Sequence, residues 1–178
     1  AEGFTLDGVP EAMRAEVVDW ATARPLRGAF MIGATGLGKT GAALVACRLM
    51  LEADPRITIR FAPYCDLLDV LAAATNSERD REAAADLRRV RHLVIDDLGV
   101  GGPLPDRLLR PFYGLIDARQ REGLATTCTT NLPNMRAMRQ VFGAPCVDRL
   151  IDPAIVRRMR WRGTVSRRTV AAEETTDE

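Results

Sequence analysis

A chain of 178 residues that is 47% hydrophobic and only 5% aromatic has enough apolar material for one core and suits one domain, at most with a small appendage. A formal charge of +1 and a pI near 7.9 give no global sign of a nucleic-acid binder or of an acidic tail protein. No apolar run approaches the roughly 20 residues needed to cross a bilayer, and none of the residues given read as a signal peptide.

Charge is nevertheless uneven. Six of the twelve residues from Arg157 to Arg168 are arginine, and the end, "AAEETTDE", is acidic, as a disordered tail over 169–178 would be. Cys47, Cys65, Cys128 and Cys146 form no C-x-x-C pair and no zinc spacing. Cys47 and Cys128 lie within apolar runs, which predicts buried free thiols in a reducing cytoplasm. The chain starts at Ala1 without a methionine, as a fragment of something longer would.

In chain order, residues 9–24 read as an amphipathic lead-in helix with Met13, Val17 and Trp20 on one face, inside a lead-in segment 1–26. "GAFMIG" (28–33) is a short apolar run ending in glycine, the signature of a buried parallel strand. A helix apolar almost all round follows over 39–53, and "ITIRFA" (57–62) is a second strand. Two helices, 65–74 and a charged, solvated one at 77–90, precede a third strand, "HLVIDD" (92–97). The next helix runs to about Arg121, and Pro111 requires it to start late or to kink. "LATTCTTN" (124–131) is a β-branched fourth strand, and "AIVRRMRW" (154–161) a fifth at an edge. Such alternation predicts an α/β fold, a mostly parallel sheet with helices on both faces, in a core spanning 27–168.

Chemistry concentrates at strand ends. The chain holds 24 arginines and one lysine, Lys39, in "GATGLGKT" (33–40). A lysine is a compact point charge where arginine is a wide planar fork, so a position that keeps lysine needs a small cation in a narrow place. Gly33, Gly38, Lys39 and Thr40 match G-x-x-x-x-G-K-[ST], with Gly36 as an extra glycine. Between strand and helix, the amides of Gly33, Ala34, Thr35, Gly36, Leu37, Gly38, Lys39, Thr40 and Gly41 can curl around phosphate oxygens at the positive end of the helix. Lys39 then reaches the β- and γ-phosphates of ATP, and the Thr40 hydroxyl binds Mg²⁺. An overlapping G-x-G-x-x-G (Gly36, Gly38, Gly41) is accidental, because the second strand ends "RFAPY" without the acid a dinucleotide fold needs.

Asp96 ends a buried apolar strand, where a bare carboxylate is costly unless a cation faces it. Mg²⁺ beside Thr40 is that cation. Asp97 is placed to polarise the attacking water, the alternative being that it caps the following turn. Asn131, at the tip of the next strand, would orient the water or sense the γ-phosphate; its alternative is a turn former before Pro133. His92, the one histidine, has no metal partners and no assigned role. The arginines at 157–168 fit either a solvated edge or a phosphate-contacting surface.

Taken together, "GATGLGKT", "LVIDDLG", "TTNLP" and "VDRLI" resemble the AAA+ ATPases of the bacterial helicase-loader type, the DnaC/DnaI group, and next the transposition helpers of the IstB group. The resemblance runs from 33 to 151; "GxxGxGKT" is specific only to nucleotide binding, whereas "IDDLG" with "TTNL" is specific to this family. It implies a P-loop NTPase of the ASCE class, a three-layer αβα with strand order 5-1-4-3-2. It further implies hydrolysis of ATP between subunits of a homo-oligomer, with a replicative helicase and single-stranded DNA as partners. An arginine acting in trans and a second sensor arginine are also implied. Arg167 in "GTVSR" is the nearest match to the sensor. Pro145 in "FGAPCVDRL" stands where the trans arginine is expected, which leaves Arg149 as the remaining candidate. "FGAP" is also similar to the Phe-Gly-Asp-Pro of the transposition helpers. Loaders carry a separate N-terminal helicase-binding domain, whereas this chain begins just before the ATPase core. A small-molecule P-loop kinase and a nucleotide-gated binding module without turnover are the readings from other classes.

Overall fold

The computed structural model describes residues 5–162. After a short 3-10 turn at Leu6–Gly8 come α1 (Glu11–Thr22), β1 (Gly28–Ile32), α2 (Lys39–Ala53), β2 (Ile59–Pro63), α3 (Tyr64–Ala73), α4 (Glu78–Arg89) and β3 (His92–Asp96). Then follow α5 (Asp106–Arg121), β4 (Ala125–Thr130), α6 (Met135–Phe142), α7 (Ala144–Leu150) and β5 (Val156–Arg160). The five strands pair in parallel in the order β2-β3-β4-β1-β5. Read from the other edge this is 5-1-4-3-2, the expected order, with β5 at an edge as anticipated.

Alternation along each strand divides the core into two layers, because successive side chains leave opposite faces. Phe30, Leu93, Ile95 and Cys128 face a cluster with Leu67 of α3, Phe112 and Leu115 of α5 and Val147 of α7. Ala29, Met31 and Val94 face the other side, with Val17 and Trp20 of α1 and Ala42, Ala46 and Met50 of α2. Every residue of β3 is buried, including Asp96, so that strand carries a carboxylate through a dry layer to its rim.

Several boundaries and one whole region differ from expectation. Pro111 does not delay α5: the helix begins at Asp106, five residues earlier, and carries Pro111 inside it. α2 is less enclosed than its composition suggests, since Arg48, Leu51 and Glu52 face solvent while Ala42, Val45, Ala46 and Met50 are buried. Helices α6 and α7 were not anticipated. Asn134 caps α6, its Oδ1 accepting from Ala137 N–H at 3.0 Å, and Gly143, at φ 77°, turns the chain directly into α7. α4 is solvated as expected, burying only Ala84 and Leu87, with Ser77 as its cap.

Two buried polar residues tie the layers. His92 places Nε2 2.8 Å from Thr127 Oγ1 and packs edge-on against Trp20 at 6.0 Å. Arg119, fully buried, donates to the carbonyls of Leu87, Val90 and Ala125 and to Thr126 Oγ1, closing the end of α4 onto β4. Arg157 on the β5 edge pairs with Glu16 and Asp19 of α1, so it belongs to a docked edge. Cys47, Cys128 and Cys146 are buried free thiols and Cys65 an exposed one. No helix among the described residues is long and apolar enough to cross a membrane.

Candidate functional site

At the carboxyl rim of the sheet, the loop between β1 and α2 is shaped by its glycines. Gly36 and Gly38 sit at φ 81° and 87°, the left-handed region that costs glycine nothing. Gly33 is required for a different reason. A Cβ there would lie 2.6 Å from Trp161 O, because the chain leaving β5 crosses against it and Trp161 N–H donates to Ile32 O at 2.8 Å. Leu37 is buried in the α1/α2 cluster and pins the loop from below.

Lys39 begins α2 and is only 5% exposed. Its Nζ donates to Gly33 O at 2.8 Å, Ala34 O at 2.7 Å and Asn131 Oδ1 at 2.7 Å. An ammonium has three donors, so the set is complete. Burial lowers its pKa, opposed by the charges of Asp97 and Asp96. The narrow place inferred from the lone lysine is therefore this cage of two carbonyls and an amide.

Thr40 Oγ1 lies 3.0 and 3.1 Å from the two carboxylate oxygens of Asp96. Burial pushes the Asp96 pKa up, and hydroxyl donation from Thr129 and Thr40 works against that. Asp97, the next residue, is the one described non-glycine with positive φ, 55°. Asp tolerates this region better than most residues, and the turn aims the second acid away from the first. Asn131 Nδ2 donates to Asp97 Oδ1 at 2.9 Å. Lys39, Asn131 and Asp97 thus form one hydrogen-bonded chain over the cleft, beside the Thr40–Asp96 pair.

The cleft measures about 230 Å³ and is lined by Thr35, Gly36, Gly38, Lys39, Thr40, Asp97 and Asn131. Larger hollows lie elsewhere among the described residues, including one at the β1/β5 face and one between α5 and α6/α7; the donor set, not size, singles out this one. Of the remaining sequence candidates, Gly33 and Ala34 serve through their carbonyls, Leu37 through burial, and Gly41 lies in the first turn of α2 outside the lining. A Mg²⁺ ion prefers oxygen ligands, few of them from protein, with phosphates completing its shell. Thr40 Oγ1 and the Asp96 carboxylate, adjacent and all oxygen, fit that preference.

Arg149 does not line the cleft. It lies on α7, where Nε donates to Asp117 Oδ1 at 2.7 Å and the guanidinium stacks over Tyr113 at 4.8 Å. Arg149 holds the Asp117 carboxyl below the usual carboxylate range. Arg167 lies outside the described residues. His92 is far from any such role: burial first, and then Arg119, hold its pKa down to about 3. Sequence reasoning missed Thr129, whose hydroxyl lies between Asp96 and Asp97. The one available signal was its place on β4 two residues before Asn131, which follows the strand's end.

The IstB-like ATP binding protein family model matches residues 18–165. No curated protein sequence matches the chain at a significant level. Among solved structures, a DnaC helicase loader is similar at TM-score 0.79 and 19% identity, covering 90% of this chain and 98% of that one. A DnaI structure gives 0.71 at 17% identity, with 93% and 90% covered. AMPPCP-bound DnaA from Aquifex aeolicus gives 0.72 at 15%, with 99% of this chain covered and 56% of that one. At such identities these likenesses speak for the fold alone. With the family model covering most of the chain and the phosphate cleft built as above, the chain belongs to the IstB-like ATP-binding family and its core has the AAA+ fold.

Proposed function

We propose that the chain hydrolyses ATP with Mg²⁺ and uses the cycle, as a homo-oligomer, to help place a replicative helicase on single-stranded DNA. The observation that carries hydrolysis is the Lys39–Asn131–Asp97 chain standing beside the Thr40–Asp96 pair. The loop amides and Lys39 hold the phosphates of ATP. Thr40 and Asp96 would hold Mg²⁺, which would supply positive charge to offset that of the phosphates. Asp97 accepts a proton from water as the new O–P bond forms and the bond to ADP breaks; Asn131 fixes the direction of that carboxylate. Arg149 is the proposed contribution from the neighbouring subunit.

The loader reading draws on the DnaC likeness, which extends over nearly all of that chain. A second reading, a transposase-assisting ATPase, is favoured by the family model and by Phe142-Gly143-Ala144-Pro145. Turnover assays with and without single-stranded DNA, repeated with the helicase and then the transposase from the same source, separate them. Stimulation by DNA and helicase supports the loader, and stimulation by transposase alone supports the helper. Phosphate transfer requiring a small-molecule acceptor would replace both with a kinase, and tight ATP binding without turnover would leave a binding module.

A further inference from the structure

β4 delivers more to the rim than Asn131. The ladder between β3 and β4 ends with Ile95 opposite Cys128. Beyond that point a side chain takes over: Thr129, fully buried, donates its hydroxyl proton to Asp96 Oδ1 and accepts from Asp97 N–H at 2.9 Å. Its carbonyl accepts from Leu98 N–H at 2.8 Å. One residue therefore grips three successive residues of the segment that carries both acids.

The two demands are opposite in kind. Asp96, acceptor-only when ionised, needs a donor, and the Asp97 amide needs an acceptor. A hydroxyl meets both at once, and β-branching fixes its χ1. Asp96 Oδ1 is then held from two sides, by Thr129 and Thr40, while Asp97 is held by its own amide at φ 55°.

We infer that Thr129 is a positioning residue that keeps two adjacent acids in separate roles, Asp96 toward the metal and Asp97 toward the water. The inference rests on the ATPase reading above. Thr129 itself is fully buried and does not line the cleft. Groups that orient metal ligands from behind typically affect metal affinity or activity by about 10–100-fold when removed.

The test compares Thr129→Val, which keeps the shape and loses the hydroxyl, with Thr129→Ser, which keeps the hydroxyl. ATP affinity is measured by calorimetry with Mg²⁺ and with EDTA, alongside kcat and a thermal melt. For Thr129→Val we expect metal-free affinity within about twofold of wild type, with the affinity gained from Mg²⁺ and kcat each lowered about 10-fold or more. Thr129→Ser should recover most of both. If Thr129→Val fails to fold, Thr129→Cys, a poor donor and acceptor, takes its place with the same expectation. A folded hydroxyl-free variant that keeps the Mg²⁺ gain and kcat overturns the inference, and so does a serine variant as impaired as the valine. A wild type that gains affinity from Mg²⁺ but turns over no ATP refutes the hydrolysis reading alone, and the Mg²⁺ comparison still decides Thr129. A wild type with neither refutes both.

Discussion

Replacing Lys39 by arginine keeps the charge and changes only its shape, so it isolates the argument made from the lone lysine. The Nζ of Lys39 fits within 2.7–2.8 Å of three acceptors, Gly33 O, Ala34 O and Asn131 Oδ1. Those acceptors converge on one point, whereas a guanidinium spreads five donors over a plane. A hydrogen bond from a charged group contributes about 1.5–3 kcal/mol. If two of the three donors turn from these acceptors to phosphate when ATP binds, losing them in Lys39→Ala would cost at most about 3–6 kcal/mol, or roughly 10²–10⁴-fold in ATP affinity. Lys39→Arg should recover little of this, because its fork must either displace the loop carbonyls or withdraw from them; we expect it at least about 10-fold weaker than wild type, the equivalent of one such bond at its lower limit. Calorimetry with Mg-ATP measures both variants, and circular dichroism checks that α2 still forms. An arginine variant binding within about threefold of wild type would refute the geometric explanation.

The two acids should separate in their effects. Asp97→Asn should leave Mg-ATP binding nearly intact and lower kcat by roughly 10²-fold or more, the scale of a positioned general base. Asp96→Asn should instead weaken the Mg²⁺-dependent part of binding in calorimetry, and identical behaviour of the two would refute the division of roles. His92 carries a pH dependence. Its folded pKa of about 3 lies below the unfolded value of 6.5, so the unfolded chain binds the extra proton. The contribution of neutral His92 is then fully present above pH 6.5 and is lost as pH falls toward 3, at up to about 1.4 kcal/mol per pH unit. Urea melts across that window should show a steeper loss in the wild type than in His92→Gln, and parallel curves would contradict the assignment.

What the sequence made legible was local. The phosphate loop, the strand ending at Asp96 and the tip at Asn131 each announce themselves within a few residues, because turn chemistry and burial act over short range. The parallel order follows from alternation and from the resemblance together. Contacts between distant segments were a different matter. Nothing near Lys39 says that Asn131, 92 positions on, would accept a hydrogen bond from it. Arg119 stands out in the sequence from none of the other arginines, yet it is fully buried among carbonyls. Thr129 reads as β-branched strand filler, since the register that puts its hydroxyl between two acids is set by another strand. Helices α6 and α7 were hidden by Gly143 and Pro145, which suggest a loop; in the fold they form a turn and a helix start.

Arg149 tests whether the site is complete in one subunit. In AAA+ proteins of the resembled type an arginine from a neighbour stabilises charge on the γ-phosphate, worth roughly 10³–10⁵ in rate where such fingers have been measured. Here its Nε side is occupied by Asp117, its face by Tyr113, and Nη1 approaches Pro145 O at 3.3 Å. The acids nearest to it in sequence, Asp148 and Asp152, instead meet Arg139 and Gln120. An arginine anchored by one edge can still present the other, and an anchored fork loses less freedom on reaching a phosphate. Two substitutions separate the roles. If Arg149 acts in trans, Arg149→Ala binds ATP normally and fails to hydrolyse it, and mixing with Lys39→Ala restores partial turnover by pairing one intact pocket with one intact arginine. Asp117→Asn, which loosens the anchor but keeps the arginine, should then retain most of the activity. If the pair is only a brace between α5 and α7, Asp117→Asn and Arg149→Ala lower the melting temperature together, turnover follows stability, and mixing rescues nothing. Near wild-type hydrolysis by Arg149→Ala alone would remove it from the reaction and transfer the question to the arginines at 157 and 158, of which Arg157 already pairs with Glu16 and Asp19 of α1.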